Sequence, residues 1–492
     1  MEPIVLIHGY SAESQETTKP AIERIYGALP KALCDQYGRE AVVEIDLSRY
    51  ISLEDGVTVD DISRALDRAL REEFSHLLKG PFHVIVHSAG ALVIRNWIRR
   101  FSKKPSPIRN LIYLAGANLG SGWAHIGKGQ VAKWAHLVFQ AGSERGVRVL
   151  DALELGSDWT LDLHLHFLRP GFIMAGDYKV YEHVIIGTQA DVKWFMIPFR
   201  YAKEDGSDGV IRVAASNLNF HYLRFGPTAD ALALTWKEAA TQASKHAARR
   251  GERKALYELK ESSRPGLAER PEVPFAISYE CAHSGDEMGI VTGSLPRPQV
   301  LRLLTTALET RPQQWPARVE TFRQETDATY QKALTAQAPV WWFKWLDEPR
   351  AQYDPHAQLV LRIRDQDGRP VPHYDIFFDS VRSKTDPSLA ILRLFEDKHV
   401  NELSPHIITF YLRTDPFSKE QIGWVPKVPE VNGCFLEVSA VEPETGEILY
   451  LPMRFEFTPE QLNTWLVGHR TTVIDVELFR LPSPEIFRLV RY

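Results

Sequence analysis

Cysteine is scarce in this 492-residue chain, and Cys34, Cys281 and Cys434 stand far apart. Such spacing excludes a disulfide framework and a cysteine-based zinc pattern. No apolar run approaches the roughly 18 residues of a membrane-spanning helix. Neither sign of charge dominates: 58 Lys and Arg against 63 Asp and Glu leave a net −5. There is therefore no basic footprint for nucleic acid or for an anionic membrane surface. Internal repeats and low-complexity segments are also missing. The opening "MEPIVLIHGY" has no basic n-region and runs straight into a strand, so no secretory leader is expected. These absences make a reduced, cytoplasmic protein the default expectation. A chain trimmed of its leader, or one exported without a leader, would read the same.

What is present is the composition of an ordinary globular protein, 44% apolar and 25% charged. A chain of this length exceeds what one hydrophobic core serves, so two or three domains are expected. Short apolar strands alternate with helical spacing through the N-terminal part of the chain, at 3–9, 41–47, 82–88, 108–116 and 182–188. That alternation predicts a largely parallel sheet flanked by helices. Helical spacing covers 58–79 and 91–102; in the second, Leu92, Val93, Trp97 and Ile98 share a face while Arg95, Arg99 and Arg100 are expected to point out.

Two segments interrupt the pattern and read as helical insertions, a Trp-, His- and Leu-rich one at about 121–170 and a polar-faced one at about 228–262. One further buried strand, 274–281, precedes helices that continue to about 335. Beyond "APVWWFKWLDEP" the texture becomes strand–turn–strand, with turns at Asp367-Gly368 and Thr445-Gly446 and a last strand in "TTVIDVELFRL". The expected organisation is an α/β domain over 1–335 and an all-β, antiparallel sandwich over 340–492.

Acyl transfer by a serine needs an activated hydroxyl, a base, an acid that orients the base, and N–H donors for an oxyanion. "PFHVIVHSAGA" at 81–91 ends a buried strand in Ser88, followed by Ala89, Gly90 and a helix. It approaches the G-x-S-x-G elbow, in which a sharp strand-to-helix turn lifts a serine out of the sheet. Val86 occupies the first glycine position, and the pentapeptide alone reads equally well as a strand-end serine capping a helix. "VLIHGY" at 5–10 offers a second turn, whose Tyr10 N–H would join the Ala89 N–H as the oxyanion hole.

For the acid, Asp208 in "EDGSDGVIRVAASN" competes with Asp205 and Asp191. For the base, His283 in "SYECAHSGDEMGIV" follows a buried strand and opens a loop. His221 follows Asp208 closely with no strand between them, and His246 lies on a polar helical face, so both are poorer candidates. His164 and His166 have no carboxylate partner at ligand spacing, so no metal is expected and the pair is assigned to lining or covering the cleft. No cofactor is expected. His87 beside the serine, and Leu119 and Trp123 at the first insertion, are the candidate substrate contacts.

These residues resemble the α/β-hydrolase superfamily, in its lipase and serine-esterase branch. "PIVLIHGY" is similar to the lipase strand and oxyanion turn, and "VHSAGALVIRNWI" to the His-Ser-x-Gly-Gly-Leu-Val elbow and helix. "LIYLAGANLGSG" at 111–122 resembles the strand and turn after the nucleophile helix, and "GSDGVIRVAAS" the acid loop. The order Ser88, Asp208, His283 is that of the fold, and the resemblance is what favours Asp208 over its competitors. It covers about 1–310 less the insertions; Val86 and Ala91 depart from the usual glycines.

The resemblance implies a mostly parallel central sheet with helical lid insertions. It also implies a Ser-His-Asp hydrolase of hydrophobic or lipid-like carboxylic esters, working through an acyl-enzyme. Phospholipids, or amide, thioester and polyester bonds, are alternative substrates of the same chemistry. An inactive hydrolase-like binding scaffold is the alternative of another class. By analogy with sandwiches appended to lipases, the C-terminal domain is expected to engage lipid or a protein partner.

Overall fold

The computed structural model describes residues 2–8, 21–52, 54–124, 146–189, 204–247, 255–285, 288–291, 297–335, 348–381, 387–443 and 446–486. The chain divides into two compact units. One comprises 1–219, 265–354 and 417–423; the other comprises 220–264, 355–416 and 424–492.

The first strands in chain order are β1 (Ile4–Ile7), β2 (Val42–Ile45), β3 (Phe82–His87), β4 (Ile108–Leu114), β5 (Tyr181–Gly187), β6 (His221–Pro227), β7 (Tyr257–Ser263) and β8 (Phe275–Ser278). Six of them form the sheet of the first unit in the order β2-β1-β3-β4-β5-β8. Every neighbouring pair is parallel. The four residues of β1 and the six of β3 are all buried, as the central strands of a parallel sheet covered on both faces must be. The helix Val59–Glu72 begins with a reciprocal cap, in which Thr58 Oγ1 accepts from Asp61 N–H and Asp61 Oδ2 accepts from Thr58 N–H. Among the described residues no helix is long and apolar enough to cross a membrane.

The helix Gly90–Phe101 buries Leu92, Val93, Trp97 and Ile98 as its spacing predicts. Arg95, expected to point out, is instead 3% exposed. It pairs with Glu182 of β5, lies 3.4 Å from the Tyr113 hydroxyl and stacks 4.7 Å from the centre of the Phe167 ring. A buried guanidinium is tolerable only with such partners. The partner is supplied by a strand 87 residues away, which local periodicity does not register.

Among the described residues of this unit, His83, His87, His164 and His183 are buried uncharged. Burial pushes the pKa of His83 to about 4 and those of His87 and His183 to about 3. Unfolded, they titrate near the ordinary value of about 6.5. Stability is therefore full above that pH and falls as the pH drops toward 4, because the unfolded chain takes up protons that the folded one refuses. Each such histidine costs on the order of 1 kcal/mol per pH unit in that window. His183 packs 5.6 Å from the Phe322 ring, an apolar setting that leucine suits. His183→Leu is expected to raise the urea midpoint more at pH 5 than at pH 7.5. Equal shifts at the two pH values would count against this account.

In the second unit, strands β6 and β7 join β9 (His356–Asp365), β11 (Phe395–Val400), β12 (Ile407–Arg413) and the strand Thr471–Leu478. Their order is β11-β12-β9-(471–478)-β6-β7. β10 (Tyr374–Ser380) pairs instead with Cys434–Ala440, which pairs with Met453–Phe457 in a three-stranded sheet. Leu223, Leu361, Phe410, Leu436 and Ile474 belong to one core that these sheets enclose, giving the expected β-sandwich.

Three expectations change here. The larger sheet is mixed, because Thr471–Leu478 runs parallel to both β9 and β6. The turn at Gly368 exists, but the strands it joins, β9 and β10, enter different sheets. The second insertion is only partly helical: helices Ala229–Leu232 and Trp236–Ala247 precede β7. Residues 220–264 thus belong to the sandwich unit rather than to the unit of the parallel sheet. Strand alternation reveals which face is buried, not which distant strand pairs or in which direction.

Candidate active site

Ser88 lies in the turn between β3 and the helix Gly90–Phe101. Its φ of 53° lies in the left-handed region, a strained conformation for a non-glycine residue. Surrounding backbone holds it there. Ser88 N–H donates to Leu114 O at 3.2 Å, and Ser88 O accepts from Ala91 and Ala117 N–H, each at 3.2 Å.

Val86 does not obstruct this turn. It is fully buried and in register with Ile7 on one side and Tyr113 on the other, so β3 keeps its register with β4 from Val84 through His87. The close approach of backbone to helix lies elsewhere. A Cβ on Gly116 would sit 3.3 Å from the Ala91 Cβ and 3.2 Å from the Tyr113 Cβ.

The base loop follows β8. His283 Nε2 lies 3.0 Å from Ser88 Oγ and its Nδ1 3.0 Å from Asp208 Oδ2. A carboxylate can only accept, so Nδ1 carries the proton and the Nε2 lone pair faces the serine hydroxyl. The His283 backbone N–H also donates to Asp208 O at 2.9 Å. All three side chains are nearly enclosed, with Ser88 8%, Asp208 1% and His283 2% exposed.

Asp208 is held by its own loop. Its Oδ1 accepts from Val210 N–H at 3.0 Å and Ile211 N–H at 2.7 Å, which leaves Oδ2 for the imidazole. Glu204 and Arg212 close the loop by a two-pronged ion pair at 3.0 and 2.7 Å.

Chemically, this arrangement can transfer a proton from Ser88 Oγ to His283 Nε2 and stabilise the resulting imidazolium through Asp208. The structure brings Ser88, Asp208 and His283 together; Ala89 follows the serine at the start of the helix. Tyr10 and Asp191 lie outside the described residues, as does 125–145 of the first insertion. The described part of that insertion contains the helices Val147–Leu153 and Asp158–His166. His164, in the second of these, is 1% exposed. His221 sits in β6, in the second unit.

The three residues expected at the substrate are engaged with the acid and base loops. His87 Nε2–H donates to His283 O at 3.0 Å, and the two rings stand 4.8 Å apart. Its pKa of about 3, set by burial and then by His283, keeps it neutral beside the base. Leu119 N–H donates to Ala215 O at 2.9 Å. The Trp123 indole N–H donates to Gly209 O at 2.7 Å, beside a bond from Ser121 Oγ to Val210 O at 2.7 Å. Nothing local in the sequence foretells these ties, which join residues remote along the chain.

No protein-family model and no curated protein matches the sequence. Among solved structures, phospholipase PlaB from Legionella pneumophila is similar over 100% of this chain and 96% of its own, with a TM-score of 0.75 at 23% identity. Its complex with thio-NAD gives the same coverage and TM-score at 21% identity. The Bacillus licheniformis lipase BlEst2 in mature form is similar over 44% of this chain and 79% of its own, with a TM-score of 0.32 at 14% identity, too little to weigh. The full-length likeness to PlaB is a likeness of fold. The chain has the α/β-hydrolase fold, joined to a C-terminal β-sandwich.

Proposed function

We propose that this chain is a serine-dependent hydrolase of carboxylic esters with hydrophobic acyl groups. The observation that carries the reading is the continuous hydrogen-bonded line from Ser88 Oγ through His283 to Asp208, 3.0 Å at each step.

In this reading Ser88 Oγ attacks the ester carbonyl carbon while its proton passes to His283 Nε2. The carbonyl π electrons move onto oxygen, and the Ala89 N–H, with the Tyr10 N–H, receives that oxyanion. The intermediate then collapses. The ester C–O bond breaks, His283 returns the proton to the leaving alkoxide, and an acyl-enzyme remains on Ser88. Water, deprotonated by the same imidazole, releases the carboxylic acid and restores the serine. Asp208 orients the ring and balances its transient charge throughout.

The Trp-, His- and Leu-rich composition of the first insertion suits an apolar acyl chain. The likeness of the whole chain, sandwich included, to a phospholipase favours lipid esters, and phospholipids are the second reading of substrate.

The test uses the full chain with a fluorophosphonate probe, a series of p-nitrophenyl esters of increasing acyl length, and phosphatidylcholine in mixed micelles. Peptide mapping is expected to find the probe on Ser88, with turnover favouring longer acyl chains. Release of fatty acid from the micelles supports the phospholipid reading. An unlabelled Ser88 together with inert esters would leave the binding-scaffold alternative standing.

A further inference from the structure

We infer that Ser121 and Trp123 are positioning residues for Asp208, acting through the two peptide units that hold its carboxylate. The inference rests on the serine-hydrolase reading of the site. Asp208 Oδ1 accepts two backbone N–H groups, from Val210 and Ile211. Each belongs to a peptide unit whose carbonyl lies at its other end. The Gly209–Val210 unit accepts the Trp123 indole N–H at its carbonyl, 2.7 Å away. The Val210–Ile211 unit accepts the Ser121 hydroxyl at its carbonyl, also 2.7 Å away. Ser121 Oγ in turn accepts the Trp123 backbone N–H at 3.2 Å, so the two donors form one structure.

A peptide unit is planar, so fixing its carbonyl fixes the direction of its N–H. Hydrogen bonding at the carbonyl also polarises the N–H, which strengthens the bond that the N–H donates. Both peptides beneath Asp208 are fixed in this way, and each points its N–H at the same oxygen. Oδ1 is occupied and Oδ2 is left to His283. The donors are well placed to persist, since Ser121 and Trp123 are each 2% exposed and water does not compete for them. The sequence alone makes Trp123 a substrate contact. In the structure its only polar side-chain atom is engaged by the acid loop.

The experiment compares Trp123→Phe, which keeps an aromatic ring but has no N–H, with Ser121→Ala, alone and in the Asp208→Asn background. Ser88→Ala is the reference for serine-dependent turnover. Each single variant is expected to lower kcat about tenfold, the loss of one well-made hydrogen bond, with KM within about twofold. The acidic limb of the pH–rate profile is expected to move to lower pH, because a less firmly held carboxylate stabilises the imidazolium less. In the Asp208→Asn background the same substitutions should change kcat less than about twofold, because the group they position is already altered.

Wild-type kcat and pH profile in both variants would overturn the inference, as would a full additive loss on top of Asp208→Asn. If Ser88→Ala keeps its turnover, the serine mechanism itself fails, an outcome separate from either of these. Should Trp123→Phe fail to fold by urea denaturation, Ser121→Ala carries the comparison, since it removes a single oxygen.

Discussion

Ser88→Ala is expected to lower kcat/KM for p-nitrophenyl ester hydrolysis on the order of 10⁵-fold, and His283→Ala by a similar factor. The double variant is expected to be no slower than either single one. Nucleophile and base act as a unit: the hydroxyl is a poor nucleophile until its proton has somewhere to go, and the imidazole has no task without that proton. The 3.0 Å contact between Ser88 Oγ and His283 Nε2 is the geometry of that dependence. Additive losses would mean that the two residues work in different steps, and the proposed line of proton transfer would not stand.

Stability separates chemistry from folding at this position. Alanine inherits the left-handed φ of 53° without relief, so Ser88→Ala should denature close to the unsubstituted chain. Ser88→Gly adopts that φ freely and should be the more stable of the two, by about 1 kcal/mol. Turnover should be lost in both.

Much of this site is legible in the sequence, because it is built from local signals in series. The six strands of the parallel sheet are apolar runs bounded by turn residues, and each appears close to its expected place. Ser88 and His283 follow two of those runs directly, which is why chain order and strand ends identify them. Asp208 is harder. Read as residues, Asp205 and Asp191 are equivalent loop acids. In the sequence only the resemblance of "GSDGVIRVAAS" favours Asp208; in the structure it is the 3.0 Å contact with His283 Nδ1, made by a carboxylate that the Val210 and Ile211 N–H groups hold.

The readings that changed share one cause. Arg95 has the spacing of a solvent-facing residue, yet Glu182 of a neighbouring strand draws it inward. The strand β6 follows directly on the first unit's sequence, yet its partner, Thr471–Leu478, lies near the far end of the chain. In each case a contact remote along the chain overrides a pattern read within a window, and tertiary pairing of that kind leaves no periodic trace. Val86 is the converse case. It breaks a motif without disturbing the turn, because its side chain is fully buried in register between Ile7 and Tyr113.

Gly187→Ala is expected to cost at least about 100-fold in turnover while also destabilising the fold, by about 3 kcal/mol or more. Gly187 is the last residue of β5, paired in register with Ser278 of β8. A Cβ at this position would fall 1.8 Å from the carbonyl oxygen of Cys281 and 2.4 Å from its carbonyl carbon. Those are backbone atoms, and no side-chain rotation can clear them. The chain from Cys281 onward must move away by more than about an ångström before ordinary contact distances return.

That chain carries His283 just beyond Cys281, held between Asp208 and Ser88 at 3.0 Å on either side. Proton transfer tolerates heavy-atom separations of roughly 2.6–3.2 Å, so a displacement of this size takes the base out of reach of the serine. Gly80→Ala is the matched control. Its φ of −152° suits any residue and its Cβ would meet nothing within 4 Å, so turnover and urea midpoint should both stay at the unsubstituted values. Wild-type turnover in Gly187→Ala would mean that β5 and β8 separate without carrying His283 with them, and the base would then owe its position to Asp208 and His87 alone.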